Sequence, residues 1–125
     1  MKLFKALDFQ DFYQKVKDQP LSIRLAYKLN KLNNRLNEEV EFYNAELYRA
    51  LTTYAQTDES GNFIPNAEGT GYLIKDGLIA ECHQKINDLQ NLEIEGLDIT
   101  FTLDELECLT ITPAELACID ELITE

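Results

Sequence analysis

The sequence predicts a mainly α-helical fold. One long amphipathic helix, about residues 20–55, packs antiparallel against a second helix at about 76–91, with a small β-hairpin or ribbon and two short C-terminal helices. Three observations predict it. Leu25, Leu29, Leu32, Leu36, Val40, Tyr43, Leu47, Leu51 and Tyr54 recur at steps of three and four residues. The mean step is about 3.6, the period of a straight α-helix rather than of a supercoiled heptad seam. Leu78, Ile79, Cys82, Ile86 and Leu89 repeat the pattern over a shorter stretch. Thr102 and Thr112 each stand three residues before a glutamate, Glu105 and Glu115, the capping-box signature of a helix start. The long helix would extend roughly 50 Å at 1.5 Å per residue. A single domain of 125 residues is narrower than that. The apolar face must then be covered from both ends of the chain, or by another molecule.

Composition sets the class. With 45% hydrophobic and 27% charged residues, the chain fits one globular domain, 1–125, with a modest core. No run of apolar residues is long enough to span a membrane. Met1 to Ala6 carries two lysines, but the apolar run a signal peptide needs is broken at Asp8, Gln10 and Asp11. The expectation is a soluble, cytoplasmic protein. Cys82, Cys108 and Cys118 are odd in number and lack a paired spacing, which points away from disulfides or a zinc site and toward small buried hydrophobes.

The net charge of −12 is unevenly placed: residues 86–125 hold no Lys or Arg, whereas nine of the eleven lie within residues 1–49. An acidic surface repels phosphate backbones, so no direct nucleic-acid binding is expected.

In order, Phe9, Phe12, Tyr13 and Val16 mark a short first helix over 8–18, with Asp8 as a cap and Pro20 enforcing a break. Its aromatics are read as core that folds back onto Leu25 and Leu29. Pro20 or Ser22 opens the long helix. Beside its seam run Arg24, Lys28, Lys31 and Arg35, each one residue before a seam leucine and so about 100° round the helix. This stripe is either a solvated flank or a docking strip for the acidic C-terminal segment, of the same chain or of a neighbour.

After Ala55, the run Thr57 to Asn62 is dense in turn residues, and Gly61 is suited to a positive φ. Phe63-Ile64 and Tyr72-Leu73-Ile74 are read as the arms of a small hairpin. Gly69 and Gly71 lack the third glycine and the Lys-Ser/Thr pair of a phosphate loop. Asp76 is the expected cap of the second helix. Leu92 to Glu95 and Leu97 to Phe101 alternate apolar and polar, as half-buried strands do, parted by a bulge at Gly96 and pairing with the 63–74 hairpin. Short helices follow at about 103–109 and 113–124. Leu103, Leu106 and Leu109 face inward on the first, and Leu116, Ile119 and Ile123 on the second.

Little catalytic chemistry can be assembled. His83 is the only histidine. Its neighbour Cys82 points about 100° away on a helix, so the two cannot act as nucleophile and base. The Asp58 to Asn62 stretch lacks the alternating ligands of a calcium loop. No catalytic residue, metal site or cofactor is expected, and the abundant carboxylates read as a solvated surface.

The run from Pro20 to Leu29, the turn Asp58 to Asn62, and the closing Leu109-Thr110-Ile111-Thr112-Pro113-Ala114-Glu115-Leu116 together have a familiar order. The chain resembles a group of small acidic proteins of unknown function encoded in phages and prophages of Gram-positive and gut bacteria. The resemblance runs from about Leu21 onward and rests on structural motifs. It implies a phage context, a location in the bacterial host cell or the virion, and a protein-binding role; it carries no site residues.

The functional expectation is a non-enzymatic interaction or assembly module. It associates with itself or with another protein through the distal part of the long helix: Phe42, Tyr43, Leu47, Tyr48, Leu51 and Tyr54. The alternative is an acidic inhibitor that imitates nucleic-acid phosphates and occupies a basic channel in a host enzyme.

Overall fold

A computed structural model describes residues 1–124. Five α-helices occupy these residues: α1 (Leu3–Val16), α2 (Ile23–Tyr54), α3 (Ile79–Gln90), α4 (Leu103–Leu106) and α5 (Pro113–Leu116). Two short strands, β1 (Phe101–Thr102) and β2 (Ile123–Thr124), pair in parallel, and a 3₁₀ segment spans Ala117–Leu122. Among the described residues no helix is long and apolar enough to cross a membrane. The fold is mainly helical, with the long helix packed against α1 and α3. The chain divides into two compact units: one holds Met1–Glu41 and Leu92–Glu125, the other Phe42–Asn91.

In the first unit the helices begin where local chemistry satisfies the orphaned backbone donors of a first turn. Ser22 caps α2: its hydroxyl accepts from the Leu25 amide at 3.2 Å, and its carbonyl from Ala26 at 2.9 Å. Upstream, α1 starts five residues earlier than its aromatic spacing predicts, at Leu3, with extended Lys2 before it and no side-chain cap. Leu3 and Ala6 extend its buried stripe ahead of Phe9, Phe12 and Val16. The Leu3 amide bonds to the Leu92 carbonyl and the Ile94 amide to the Met1 carbonyl, which ties the N-terminus to the segment after α3. Packing on residues far along the chain therefore supplies the first turn that local signals omit.

Both capping boxes form. The Thr102 and Thr112 hydroxyls accept from the Glu105 and Glu115 amides at 3.2 Å, and the glutamates accept in return from the threonine amides. The helices they open are shorter than expected, one turn each, and after α5 the chain tightens into the 3₁₀ segment. That segment and α5 pack on α1, bringing Cys118, Ile119 and Leu122 into the core with Phe101 and Leu106. Leu103 is exposed and Leu109, Leu116 and Ile123 are half-buried, so of the residues expected to face inward Leu106 and Ile119 are the sealed ones.

The alternation over 92–101 is present as burial: Ile94, Ile99 and Phe101 are buried among more exposed neighbours. The expected pairing with the 63–74 hairpin is not found. Glu93 bridges to Lys2, and β1 lies alongside β2. A parallel pair needs a long crossover, and residues 103–122 supply one. Gly96 takes φ +76°, a left-handed turn between the two alternating runs.

In the second unit, α2 ends at Tyr54 and the chain turns back twice. The Gln56 amide donates to the Leu73 carbonyl, Leu73 to Ile64 and Ile64 to Gln56, a closed ring of backbone hydrogen bonds at 2.8–3.1 Å. Asp58 Oδ1 accepts the Ser60 and Asn62 amides in the first turn, where Gly61 holds φ +83°. Asn66 Oδ1 accepts the Thr70 amide in the second. Gly69 and Gly71 thus belong to a hairpin turn. The start of α3 departs from expectation: Leu78 rather than Asp76 precedes it, no side chain caps it, and Gly77 at φ +80° makes the turn. Cys82 lies beside Leu47 and Leu51, while Gln90 at the far end donates to the Tyr43 hydroxyl at 3.3 Å. The two helices therefore run antiparallel.

Candidate functional site

The distal face of α2, within the second unit, is built by the same helical period that buries its first half. Val40 and Tyr43 continue the buried seam, and then cover gives out: Leu47, Leu51 and Tyr54 are each half-buried. Leu47 and Leu51 line an open cavity of about 360 Å³ whose opposite walls are Tyr72, Ile74, Cys82 and Ile86. A cavity of this kind suits an apolar side chain or a short apolar segment.

An aromatic ladder lies in the same unit. Tyr48, Phe63 and Tyr72 meet edge to face, with centroids 5.7 and 5.5 Å apart. Such pairs favour offset or edge contacts because ring faces are negative and ring edges positive. Phe42, Tyr48, Tyr72 and Leu73 are exposed, Tyr48 at 64%.

Of the six residues read as an interface, Phe42 and Tyr48 are exposed and Leu47, Leu51 and Tyr54 half-buried. Tyr43 is a correction. At 7% exposure, with its hydroxyl engaged by Gln90, it belongs to the core. Sequence reasoning missed Phe63, Tyr72 and Leu73. The signal was available in the hairpin pattern, since bridged residues on the two arms of a turn share a neighbourhood.

The basic stripe, in the first unit, is split in use. Lys28 donates to Glu105 Oε1 and to the Thr100 carbonyl, both at 2.9 Å, and lies 5.8 Å from the centre of the Phe101 ring. Arg35 pairs with Glu39 at 2.7 Å and reaches the Glu95 carbonyl. Arg24 and Lys31 are exposed and, among the described residues, form no ion pair. With Tyr27, Asp98 and Ile99 they border a shallow cleft of about 410 Å³.

The acidic tail meets the chain's own cations. Lys5 holds Asp120 at 2.9 Å and Glu121 at 2.8 Å, and Lys15 holds Glu115 at 2.6 Å. The side-chain hydrogen bond from Lys15, with those from Thr112, pulls the Glu115 carboxyl down to about 2. The bond from Lys28 lowers Glu105, and that from Lys5 lowers Glu121.

Cys82 and Cys118 are buried, and burial raises both thiols, Cys118 to about 12. Cys108, expected to be buried, is exposed, because α4 ends before its turn comes round to the core. His83 is exposed on the rim of the distal cavity. Among the described residues, no three metal-ligating side chains gather. Comparison with protein families, curated proteins and solved structures finds no match.

Proposed function

We propose that the chain is a non-enzymatic assembly module whose binding face is the apolar concavity of the second unit. The observation that supports it is the coincidence of an open cavity walled by Leu47, Leu51 and Tyr72 with the exposed rings of Tyr48 and Tyr72, joined edge to face through Phe63. Exposed aromatic area of this kind marks contact surfaces, and aromatic anchors beside a pocket dominate interface energetics. The partner is a second copy, bound by apolar contact; the resemblance described above suggests a phage or prophage setting for this assembly, in the host cell or the virion. The charged-decoy alternative is disfavoured by the tail's own pairing: Glu105, Glu115, Asp120 and Glu121 already face lysines of the same chain. A decoy needs those charges outward.

Light scattering behind size exclusion, at low and high salt, tests the reading. The expected result is an assembly larger than one chain that survives high salt and that, at high salt, is lost in Tyr48→Glu and in Tyr72→Glu. A salt-resistant assembly that both variants leave intact would overturn it, as would a monomer at high salt.

A further inference from the structure

The face of α2 turned away from its core carries a second periodic stripe, and its charge order is self-complementary. Ile23, Tyr27, Lys31, Asn34, Glu38 and Glu41 follow one another at steps of four, four, three, four and three residues. At about 100° per residue they share one side of the helix, roughly opposite the leucine seam. All six belong to the first unit and are exposed in it, Ile23 at 90% and Tyr27 at 66%, although Tyr27 and Lys31 border the cleft with Asp98 and Ile99 on one side. The stripe is cationic in its first half, with Arg24 beside it, and anionic at its end.

We infer that this face is a second contact between copies, in which the α2 helices of two chains lie antiparallel about a two-fold axis beside Asn34. A two-fold contact sets the same patch against itself, so a stripe that is basic at one end and acidic at the other meets its complement only when reversed. In the register centred between Asn34 and Arg35, Lys31 of each copy stands opposite Glu38 of the other, so one good pairing is made twice. Glu41 falls opposite Lys28, whose ammonium already holds Glu105, and so turns to Arg24 one turn away, which has no ion pair among the described residues. Ile23 and Tyr27 supply apolar area that the chain leaves uncovered. This contact does not rest on the distal cavity, and two distinct two-fold faces on one chain build a tetramer or a longer array.

The experiment is a charge swap read as mass by light scattering at low salt. Lys31→Glu and Glu38→Lys each place two like charges in opposition across the axis. Each should weaken the contact about tenfold or more and halve the mass of the assembly. Mixed in equal amounts, the two variants restore opposite charges at both crossings. The introduced glutamate of one copy then faces the introduced lysine of the other, native Glu38 faces native Lys31, and the full mass returns. The same series in a Tyr48→Glu background should pass from dimer to monomer and back, which separates this contact from the distal one. All the substituted positions are exposed, so circular dichroism should be unchanged. The inference is overturned if neither single variant changes the mass, or if the mixture stays at the mass of its components.

Discussion

The two halves of the α2 seam have the same period and different fates. Leu25, Leu29, Leu32, Leu36, Val40 and Tyr43 are buried, whereas Leu47, Leu51 and Tyr54 are only half-buried. From Leu25 to Val40 the seam is roofed by segments from both ends of the chain, while Tyr43 is closed off by Gln90. Here α1 supplies Phe9, Phe12 and Val16, the tail supplies Phe101 and Ile119, and Lys5, Lys15 and Lys28 tie the tail down. The second half has one 12-residue helix and a loop whose turns are held largely by their own backbone and side-chain bonds. Periodicity says which face of a helix is apolar; it does not say how much covering the rest of the chain can supply.

The largest test of that contrast is truncation on either side of it. Leu32→Ala removes a fully buried side chain from a packed core and should cost about 2–5 kcal/mol in chemical denaturation. Leu51→Ala, on the wall of an open cavity, should cost about 1 kcal/mol, because much of the lost surface already meets solvent. Equal costs would mean that the two halves are equally sealed. Next come the helix starts. Thr112→Ala strips the acceptor from the Glu115 amide and should cost about 1 kcal/mol. Asp76→Ala, at the position the sequence marks as the α3 cap, should stay within about 0.5 kcal/mol, since no side chain caps that helix.

Legibility followed the range of the interaction. The α2 seam, the turn at Gly61 and both threonine caps rest on neighbours within a few residues, and all were readable. What was not readable rests on distant partners. The first turn of α1 exists because Leu3 and Ile94 bond to Leu92 and Met1, and β1 finds β2 rather than the hairpin because the tail folds back over α1. The start of α3 misled for another reason: an aspartate that looked like a cap lies before a glycine that takes the turn itself. In the candidate site, Tyr48 was legible from α2 alone, whereas Phe42, read with it, lies on the other side of the helix from the cavity. Phe63 and Tyr72 join Tyr48 only through the bridges that fold the loop. The charge asymmetry was visible as a count; its use, a tail lashed to the chain's own lysines, depends on contacts about a hundred residues apart.

The smallest effect tests that lashing through its pH dependence. Glu115 accepts from Lys15 and from the Thr112 amide, and its carboxyl is held at about 2 against an ordinary 4.5. A carboxyl whose folded value lies below its unfolded value binds fewer protons in the folded state, so it stabilises the fold above the unfolded value. That contribution is present in full above about pH 4.5 and fades as the pH falls toward 2. The expected result is a thermal midpoint for the parent chain above that of Glu115→Gln at pH 6, with the gap narrowing below pH 4.5 and closing near 2. Lys15→Met should remove part of the gap, because the threonine bonds to Glu115 remain. A gap that stayed constant down to about pH 2 would assign the loss to the cap's shape rather than its charge, and would leave the tail held by Ile119 and Leu122 beneath it.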